Sequence, residues 1–358
     1  MVKIAIVLGC RPEIIKMSPI IRYCEKNNQD YFIIDTGQHY SKNMSEIFFN
    51  ELELPTPKYN LSVGSCSPGK QIGRMIERIE GVLLTEKPDI VLIQGDTNSV
   101  LSGALCANKL GIQVGHIEAG LRSYDNIPEE INRVITDHIS DYLFCPTKES
   151  KLNAIKEGIG LLDENKIFVT GNTIVDAVSQ NLIIAEKKSK ILTKYKLKEK
   201  GYFLITAHRD INVDVKKNLE LMFEGFEKIF KHCGQRMIYP IHPRTRKNIK
   251  NFGVKVPGCV ELIEPVGYFD FLILEKNAML ILSDSGGIIE EGCILGVPCV
   301  TLRETTERPE TLDCGSNVCV GINPDKMVKG AEIMLENHSP WKHPFGKNPT
   351  KKIMEILR

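Results

Sequence analysis

The chain has 358 residues, of which 42% are hydrophobic and 25% are charged, and its formal net charge is +1. This length suits two domains, the composition is that of a globular protein, and the near-neutral charge gives no global attraction to nucleic acid or to an acidic membrane. No stretch approaches the ~20 apolar residues of a spanning helix, so we expect a soluble, cytoplasmic protein. The eleven cysteines form no CxxC pair, which argues against a disulfide framework or a zinc site.

Short apolar runs alternate with amphipathic segments along the chain, a pattern typical of parallel sheet covered by helices on both faces. We therefore predict an α/β protein with two doubly wound, Rossmann-like domains, residues 1–170 and residues 171–343. In chain order the predicted strands are Lys3–Leu8, Tyr31–Thr36, Ile90–Gln94, Gln113–Ile117, Tyr142–Pro146, Lys166–Thr170, Tyr202–Thr206, Arg236–Pro240, Val260–Ile263, Met279–Ser283, Pro298–Leu302 and Val318–Val320.

Ligands of open α/β sheets bind beyond the carboxyl ends of the strands, so the polar residues that follow each strand are the candidates for a site. After the first strand, Arg11 and Lys16 flank the start of a predicted helix, whose N-terminus attracts anions. Two ordinary surface cations are the alternative interpretation. The segment matches neither the Walker loop nor GxGxxG, so it does not support an ATP or NAD site.

Two carboxylates follow the next pair of central strands. Asp96 precedes a predicted helix, where an aspartate is often only a cap. His116 and Glu118 are two residues apart on a strand and are therefore expected on one face. A carboxylate at the end of a buried strand is costly unless it has partners, which makes Glu118 a candidate acid or base with a raised pKa.

A predicted helix that begins at Pro128 carries a third acid. Glu130, Arg133 and Asp137 share one face of this helix, and spacing alone favours an exposed, salt-bridged surface. The opposite face is an apolar stripe of Ile131, Ile135 and Ile139. Three acids, Asp96, Glu118 and Glu130, nevertheless come from consecutive α/β units. They could therefore converge at one place and act as paired acids and bases.

The second half contains two His-plus-Arg clusters at strand ends, one at His208 and one at His242. Neither has acids or cysteines at metal-ligand spacing, so we do not interpret them as metal sites. The strongest single motif is Ser283–Gly287, where a strand leads into Gly-Gly and a helix, a backbone suited to phosphate. Glu291 follows at an offset suited to ribose hydroxyls, and Arg308 in a charged loop could bind a diphosphate.

Together these clusters resemble the non-hydrolysing UDP-N-acetylglucosamine 2-epimerase family over essentially the whole chain. The motifs that carry the resemblance are GDT at 95–97, HIEAGLR at 116–122, DSGG at 284–287 and TTERPE at 305–310.

The resemblance implies a glycosyltransferase-B-like fold with two domains facing a cleft, and a C-terminal helix, residues 344–358, that crosses back to the first domain. It implies a homodimer that needs no metal or NAD. The reaction it implies is reversible epimerisation to UDP-N-acetylmannosamine, by elimination of UDP to a 2-acetamidoglucal and re-addition. The implied catalytic residues are Asp96, Glu118, Glu130 and His208. The implied contacts to UDP and substrate are Arg11, Lys16, Phe271, Ser285, Gly286, Gly287, Glu291 and Arg308.

Three other functions stay open: a hydrolysing 2-epimerase that releases N-acetylmannosamine, a retaining UDP-sugar glycosyltransferase, and a non-catalytic UDP-sugar sensor. Bacterial relatives activated by a second UDP-N-acetylglucosamine carry a QHxxQ element. Here Gln38 and His39 are followed by Ser41, which lacks the amide, so we predict weak or absent activation. The further candidates for a regulatory or supporting role are Lys70, Arg133 and His242.

Overall fold

The computed structural model of the chain describes residues 2–38, 42–124, 127–161, 166–336 and 340–358. The chain divides into two compact units. Unit 1 comprises Met1–Gln180 and Phe345–Arg358, and unit 2 comprises Asn181–Pro344. In the described ranges, no helix is long and apolar enough to cross a membrane.

Unit 1 is built on a parallel sheet of seven strands. Its elements are β1 (Ile4–Leu8), α1 (Arg11–Lys26), β2 (Tyr31–Asp35), α2 (Lys42–Glu51), β3 (Tyr59–Asn60), α3 (Pro68–Glu86), β4 (Ile90–Gln94), α4 (Asn98–Lys109), β5 (Gln113–Ile117), α5 (Pro128–Ile139), β6 (Tyr142–Cys145), α6 (Lys148–Lys156), β7 (Ile167–Val169), the first part of α7 (Ile174–Lys188) and α16 (Pro349–Ile356). The strand order is β3-β2-β1-β4-β5-β6-β7, so the winding reverses between β1 and β4. Ligands of such sheets bind at this point of reversal.

Unit 2 repeats the plan with six parallel strands. Its elements after α7 are α8 (Ile191–Lys194), β8 (Tyr202–Thr206), α9 (Asp210–Val213), α10 (Lys216–Cys233), β9 (Arg236–Pro240), α11 (Pro243–Phe252), β10 (Val260–Ile263), α12 (Tyr268–Asn277), β11 (Leu280–Ser283), α13 (Gly286–Leu295), β12 (Cys299–Thr301), α14 (Pro309–Asp313), β13 (Asn317–Cys319) and α15 (Pro324–Glu336). The order is β10-β9-β8-β11-β12-β13, which puts the reversal between β8 and β11.

The strands are apolar because helices cover the sheets on both faces. In β1 and β4 every residue is buried, and the same is true of β11. The twelve predicted strands are all present, with ends that differ by at most one residue. The additional strand, β3, has only two residues, too few to show a pattern in the sequence.

The C-terminal segment belongs to unit 1 through contacts around Gly171. The Asn172 amide donates to the Phe345 carbonyl at 3.0 Å, and the Thr350 amide donates to Asp176 Oδ2 at 2.9 Å. Gly171 has φ +96°, and a Cβ there would lie 2.6 Å from the Phe345 oxygen. The close backbone approach therefore requires glycine at this position.

Helix α5 buries the charged face that was predicted to be exposed. Arg133 and Asp137 are buried, whereas Ile131 and Ile135 on the apolar stripe are 55% and 39% exposed. The prediction was wrong because it considered charges within the helix alone. Cations and acids from neighbouring loops pair with the buried charges, as described below, and these pairs allow the polar face to pack inward.

Candidate active site

Glu118 lies just beyond β5 in a pocket of hydrogen-bond donors. The Lys16 Nζ is 2.7 and 2.9 Å from its two carboxylate oxygens, and Gln94 and Asn172 also donate to it, the latter at 3.5 Å. Glu118 and Lys16 are both buried. The backbone of Glu118 has φ +72°, a strained conformation for a residue with a side chain. Contacts from α1, β4 and the segment after β7 therefore fix this carboxylate.

Arg133 joins the two other predicted acids. Its Nε and Nη2 lie 2.9 and 2.5 Å from Asp96 Oδ2, and its Nη1 lies 2.7 Å from Glu130 Oε2. The Ser123 and Tyr124 amides also donate to Glu130, at 3.2 and 3.1 Å. Burial favours the protonated form of Glu130, but Arg133 and the two amides outweigh it and hold the pKa of Glu130 below its usual value. The structure thus brings Asp96 and Glu130 together through one guanidinium.

The alternative that Asp96 merely caps a helix is wrong. The N-cap of α4 is Thr97, whose Oγ1 accepts hydrogen bonds from the Ser99 and Val100 amides at 3.1 and 3.4 Å. Capping is therefore supplied by the neighbouring threonine, and the Asp96 carboxylate pairs with Arg133 instead.

A buried network supports the two loops that carry Asp96 and Glu118. Asp137 accepts a hydrogen bond from the Gly120 amide at 3.0 Å, and its oxygens lie 2.7 Å from His116 Nδ1 and from Arg122 Nη1. His116 Nε2 in turn donates to the Gly95 carbonyl at 2.8 Å. Burial alone would raise the pKa of Asp137, but His116 and Arg122 hold it below the usual range. His116 thus has different partners from Glu118 and ties one loop to the other.

Glu13 is a buried acid to which the sequence analysis gave no separate role. It accepts hydrogen bonds from the Gly9 amide at 2.6 Å, the Cys10 amide at 3.1 Å and Thr97 Oγ1 at 2.5 Å. Burial raises the pKa of Glu13 to about 7, against the lowering effect of these three donors. Its position, three residues after the helix N-cap Cys10, is the spacing of a capping box and could have identified it.

In unit 2, the buried Asp284 organises the loop that carries His208. It accepts hydrogen bonds from the amides of His208 and Arg209 at 3.1 and 3.0 Å and from Asn212 Nδ2 at 3.0 Å. The His208 Nδ1 lies 3.6 Å from Asp284 Oδ1, and the imidazole is about half exposed. Sequence analysis named Asp284 only as part of the DSGG motif and did not predict its contacts, because only the adjacency of β8 and β11 brings it to the His208 loop.

The Gly-Gly turn that begins α13 packs closely on a charged loop. A Cβ on Gly286 would lie 2.5 Å from Glu307 Oε1, so a larger residue here would have to displace this carboxylate. Glu307 is also 2.6 Å from Arg303 Nη1. Burial opposes ionisation of Glu307, but Arg308 and Arg303 hold its pKa at about 2. Ser285 and Gly287 flank Gly286 and are partly exposed, as expected of a phosphate-binding backbone.

The two charged side chains of this unit that were predicted to bind the nucleotide are buried and have protein partners. Glu291 Oε1 accepts a hydrogen bond from the Tyr268 hydroxyl at 2.7 Å, and Arg308 Nε pairs with Glu290. Phe271 lies on α12 and is half-buried. These contacts fix the residues in place, and their role toward a ligand stays a prediction.

The residues predicted for the anion site and for regulation lie on several different elements of unit 1. Arg11 begins α1 and lies over the Phe48 ring, 5.5 Å from its centroid. Gln38 is buried, and its Oε1 accepts from Ser99 Oγ at 2.7 Å. Lys70 is exposed on α3. His39 and Ser41 lie outside the described residues.

His242 lies at the start of α11 in unit 2, and its ring centroid is 6.1 Å from that of His208. Its Nδ1 accepts from the Arg244 amide at 3.3 Å. Partial burial lowers the pKa of His242, and the nearby His208 and Arg244 lower it further. Within the part of the chain that the structure describes, no three or more His, Cys, Asp or Glu side chains group as a metal site.

Two doubly wound parallel units define an α/β protein with a glycosyltransferase-B-like fold. A spinosyn rhamnosyltransferase that is 10% identical shares this fold, with a TM-score of 0.56 over 100% of this chain and 96% of the other. The family model described as UDP-N-acetylglucosamine 2-epimerase matches residues 22–358, and the chain belongs to that family.

The chain is similar to a UDP-N-acetylglucosamine 2-epimerase from Methanocaldococcus jannaschii. It is 56% identical over 363 residues, covering 99% of this chain and 98% of that protein. A crystal structure of the enzyme from that organism, in complex with UDP-GlcNAc and UDP, matches with a TM-score of 0.90 over 99% of both chains. A Pseudomonas aeruginosa UDP-2,3-diacetamido-2,3-dideoxy-D-glucuronate 2-epimerase is 40% identical over 335 residues, 93% of this chain and 92% of that protein.

Proposed function

We propose that the protein interconverts UDP-N-acetylglucosamine and UDP-N-acetylmannosamine without hydrolysis. One observation carries the proposal: the three acids Asp96, Glu118 and Glu130 occur together in unit 1, each held by a cation. The 56% identity to an epimerase of that name supports the choice of substrate. A glycosyltransferase would leave this acid cluster without a role.

The proposed chemistry is elimination followed by re-addition. A carboxylate removes the proton from the sugar C2, a double bond forms between C2 and C1, and the C1–O bond breaks with its electron pair going to UDP. The oxygen of UDP then adds back to C1 of the 2-acetamidoglucal, and C2 takes a proton on the opposite face. Such a reaction needs positioned acids and bases for a weakly acidic C–H and fixed cations for the departing diphosphate.

The residues that we propose for these roles belong to both units. The proposed acids and bases are Asp96, Glu118 and Glu130, with His208 as a further catalytic group. The proposed contacts to UDP and substrate are Arg11, Lys16, Phe271, Ser285, Gly286, Gly287, Glu291 and Arg308. Arg133 has a positioning role in this proposal, because it binds two of the acids at once.

The alternative of a hydrolysing 2-epimerase differs in the fate of the glucal, which would take up water. The Pseudomonas relative raises a second alternative, a sugar that carries a 3-acetamido group and a carboxylate. We propose the simpler sugar because the relative named for it is the more similar one, at 56% against 40% identity.

Positional isotope exchange tests the elimination step directly. UDP-N-acetylglucosamine labelled with ¹⁸O in the bridge between C1 and the β-phosphate is incubated with the enzyme. Cleavage of the C1–O bond lets the β-phosphate rotate, so we expect ¹⁸O to appear in non-bridging positions and UDP-N-acetylmannosamine to form. Epimerisation with the label retained in the bridge and with no exchange of the C2 proton with solvent would exclude elimination. Accumulation of free N-acetylmannosamine would support the hydrolysing alternative.

We further propose a cytoplasmic homodimer that works without a metal or NAD. Sedimentation of the full chain and turnover after treatment with EDTA test the assembly and the metal independence. Weak or absent activation by a second UDP-N-acetylglucosamine also stays a prediction. Reverse turnover that starts without a lag, and stronger cooperativity in Ser41→Gln, are the results that it predicts.

A further inference from the structure

Two cysteines of unit 2 lie side by side. The Sγ atoms of Cys293 and Cys314 are 3.8 Å apart. Cys293 is in the last turn of α13 and is buried, whereas Cys314 directly follows α14 and is half-buried. A reagent from solvent can therefore reach Cys314 first, with Cys293 behind it.

The Cys314 sulfur has three polar neighbours. Its thiol can donate to Ser316 Oγ at 3.3 Å and to the Thr311 carbonyl at 3.5 Å, and the Cys293 thiol is the third neighbour. A hydrogen bond from the Cys293 thiol stabilises the Cys314 thiolate and, against the effect of burial, lowers the pKa of Cys314 below its usual value. The same contact and burial raise the pKa of Cys293. One thiol of the pair is thus suited to attack an oxidant, and the other to resolve the product.

The two cysteines lie between helices α13 and α14, which are also joined by an ion pair. Glu290 on α13 pairs with Arg308 at the start of α14, and Cys293 lies one turn after Glu290. The Trp341 Nε1 donates to the Cys293 carbonyl at 2.9 Å and anchors the same turn. A bond between the two sulfurs would need them to close from 3.8 Å to about 2.05 Å.

We propose that Cys293 and Cys314 form a reversible oxidation site that takes up peroxide and closes a disulfide between α13 and α14. In the first step the Cys314 thiolate attacks hydrogen peroxide, the O–O bond breaks, and the sulfur becomes a sulfenic acid as hydroxide leaves. In the second step the Cys293 sulfur attacks the sulfenic sulfur, the S–S bond forms, the S–O bond breaks and water leaves. A dithiol reductant returns both thiols. The inference does not rest on the proposed activity.

Peptide mapping of the full-length protein tests the site. Reduced protein is treated with hydrogen peroxide, remaining thiols are alkylated, and the digest is analysed without reduction. We expect one cross-linked peptide pair, Cys293 with Cys314, in a single chain that has lost two hydrogens, and full reversal by dithiothreitol. We expect Cys314 to react at least ~10-fold faster than Cys66, another half-buried cysteine, since a lowered pKa raises the thiolate fraction at neutral pH.

Cys314→Ser and Cys293→Ser should each abolish the cross-link, and the control Cys66→Ser should retain it. Phenylarsine oxide, which bridges two adjacent thiols, provides a test that needs no oxidant. It should bind the Cys66→Ser protein and the unchanged protein alike, and Cys314→Ser at least ~10-fold more weakly. The inference is overturned if Cys314 remains reduced or goes on to sulfinic acid without cross-linking, or if phenylarsine oxide does not distinguish the variants.

Discussion

Replacing Arg133 by glutamine removes the guanidinium that holds Asp96 and Glu130. Three hydrogen bonds to charged oxygens are lost, and the side chains of Arg133 and Glu130 are only 9% and 12% exposed. Removal of one partner from a buried pair costs about 3–5 kcal/mol. Asp96 is 31% exposed, so solvent compensates part of its loss. We therefore expect the free energy of unfolding to fall by about 2–4 kcal/mol.

Urea denaturation measures this change, with Arg246→Gln as the matched control. Arg246 also forms an ion pair, 2.6 Å from Glu264, but the two side chains are 46% and 72% exposed, so its loss should cost less than about 1 kcal/mol. Equal, small effects of both substitutions would refute the reasoning. Turnover provides a second measurement: Arg133→Gln should lower kcat, yet leave the affinity for UDP, proposed for unit 2, unchanged.

The loss of stability caused by Arg133→Gln should depend on pH. Arg133 lowers the pKa of Glu130, so the pair stabilises the fold above the ordinary carboxyl pKa of about 4.3 and loses that effect as pH falls through the lowered value. The difference in unfolding free energy between the wild type and Arg133→Gln should therefore shrink as pH falls from about 6 to about 3. A difference that stays constant over this range would show that the charges are not its source.

Three further predictions concern the acids and the nucleotide site. Neutral isosteres of the three acids should each lower turnover at least ~100-fold while circular dichroism shows an intact fold, and near-normal activity in all three would remove them from the mechanism. The three variants are Asp96→Asn, Glu118→Gln and Glu130→Gln. Glu291→Ala and Arg308→Ala should each weaken UDP binding in calorimetry by a few-fold or more, whereas the surface variant Arg246→Ala should not. Because burial raises the pKa of Glu13 to about 7, the wild type should lose stability relative to Glu13→Gln as pH rises from about 4 to about 8, and parallel stability curves would contradict this.

Much of the fold could be predicted because parallel strands buried on both faces are continuous apolar runs. β4, β5 and β8 have the bounds that the sequence predicted. β3 escaped prediction because a two-residue strand at the sheet edge depends on its pairing with β2 rather than on its own pattern. Strand order also depends on contacts between distant segments, and periodicity does not reveal these.

The acids of the site could be predicted from their positions after strands, but their partners could not. Lys16 and Glu118 are 102 residues apart in sequence, and Arg133 and Asp96 are 37 apart. The interpretation of α5 failed for the same reason, since Arg133 and Asp137 pair with residues of neighbouring segments in addition to the pair of Arg133 with Glu130 along the helix. The organising role of Asp284 was missed because its amide donors come from another strand end.

The proposed mechanism requires proton exchange at the sugar C2 during epimerisation. Proton NMR of UDP-N-acetylglucosamine, incubated with the enzyme alone in deuterium oxide, measures it directly. We predict that both UDP-N-acetylglucosamine and UDP-N-acetylmannosamine acquire deuterium at C2, with both sugars still attached to UDP. Epimers that keep protium at C2, or a UDP-sugar that binds and remains unchanged, would contradict the account.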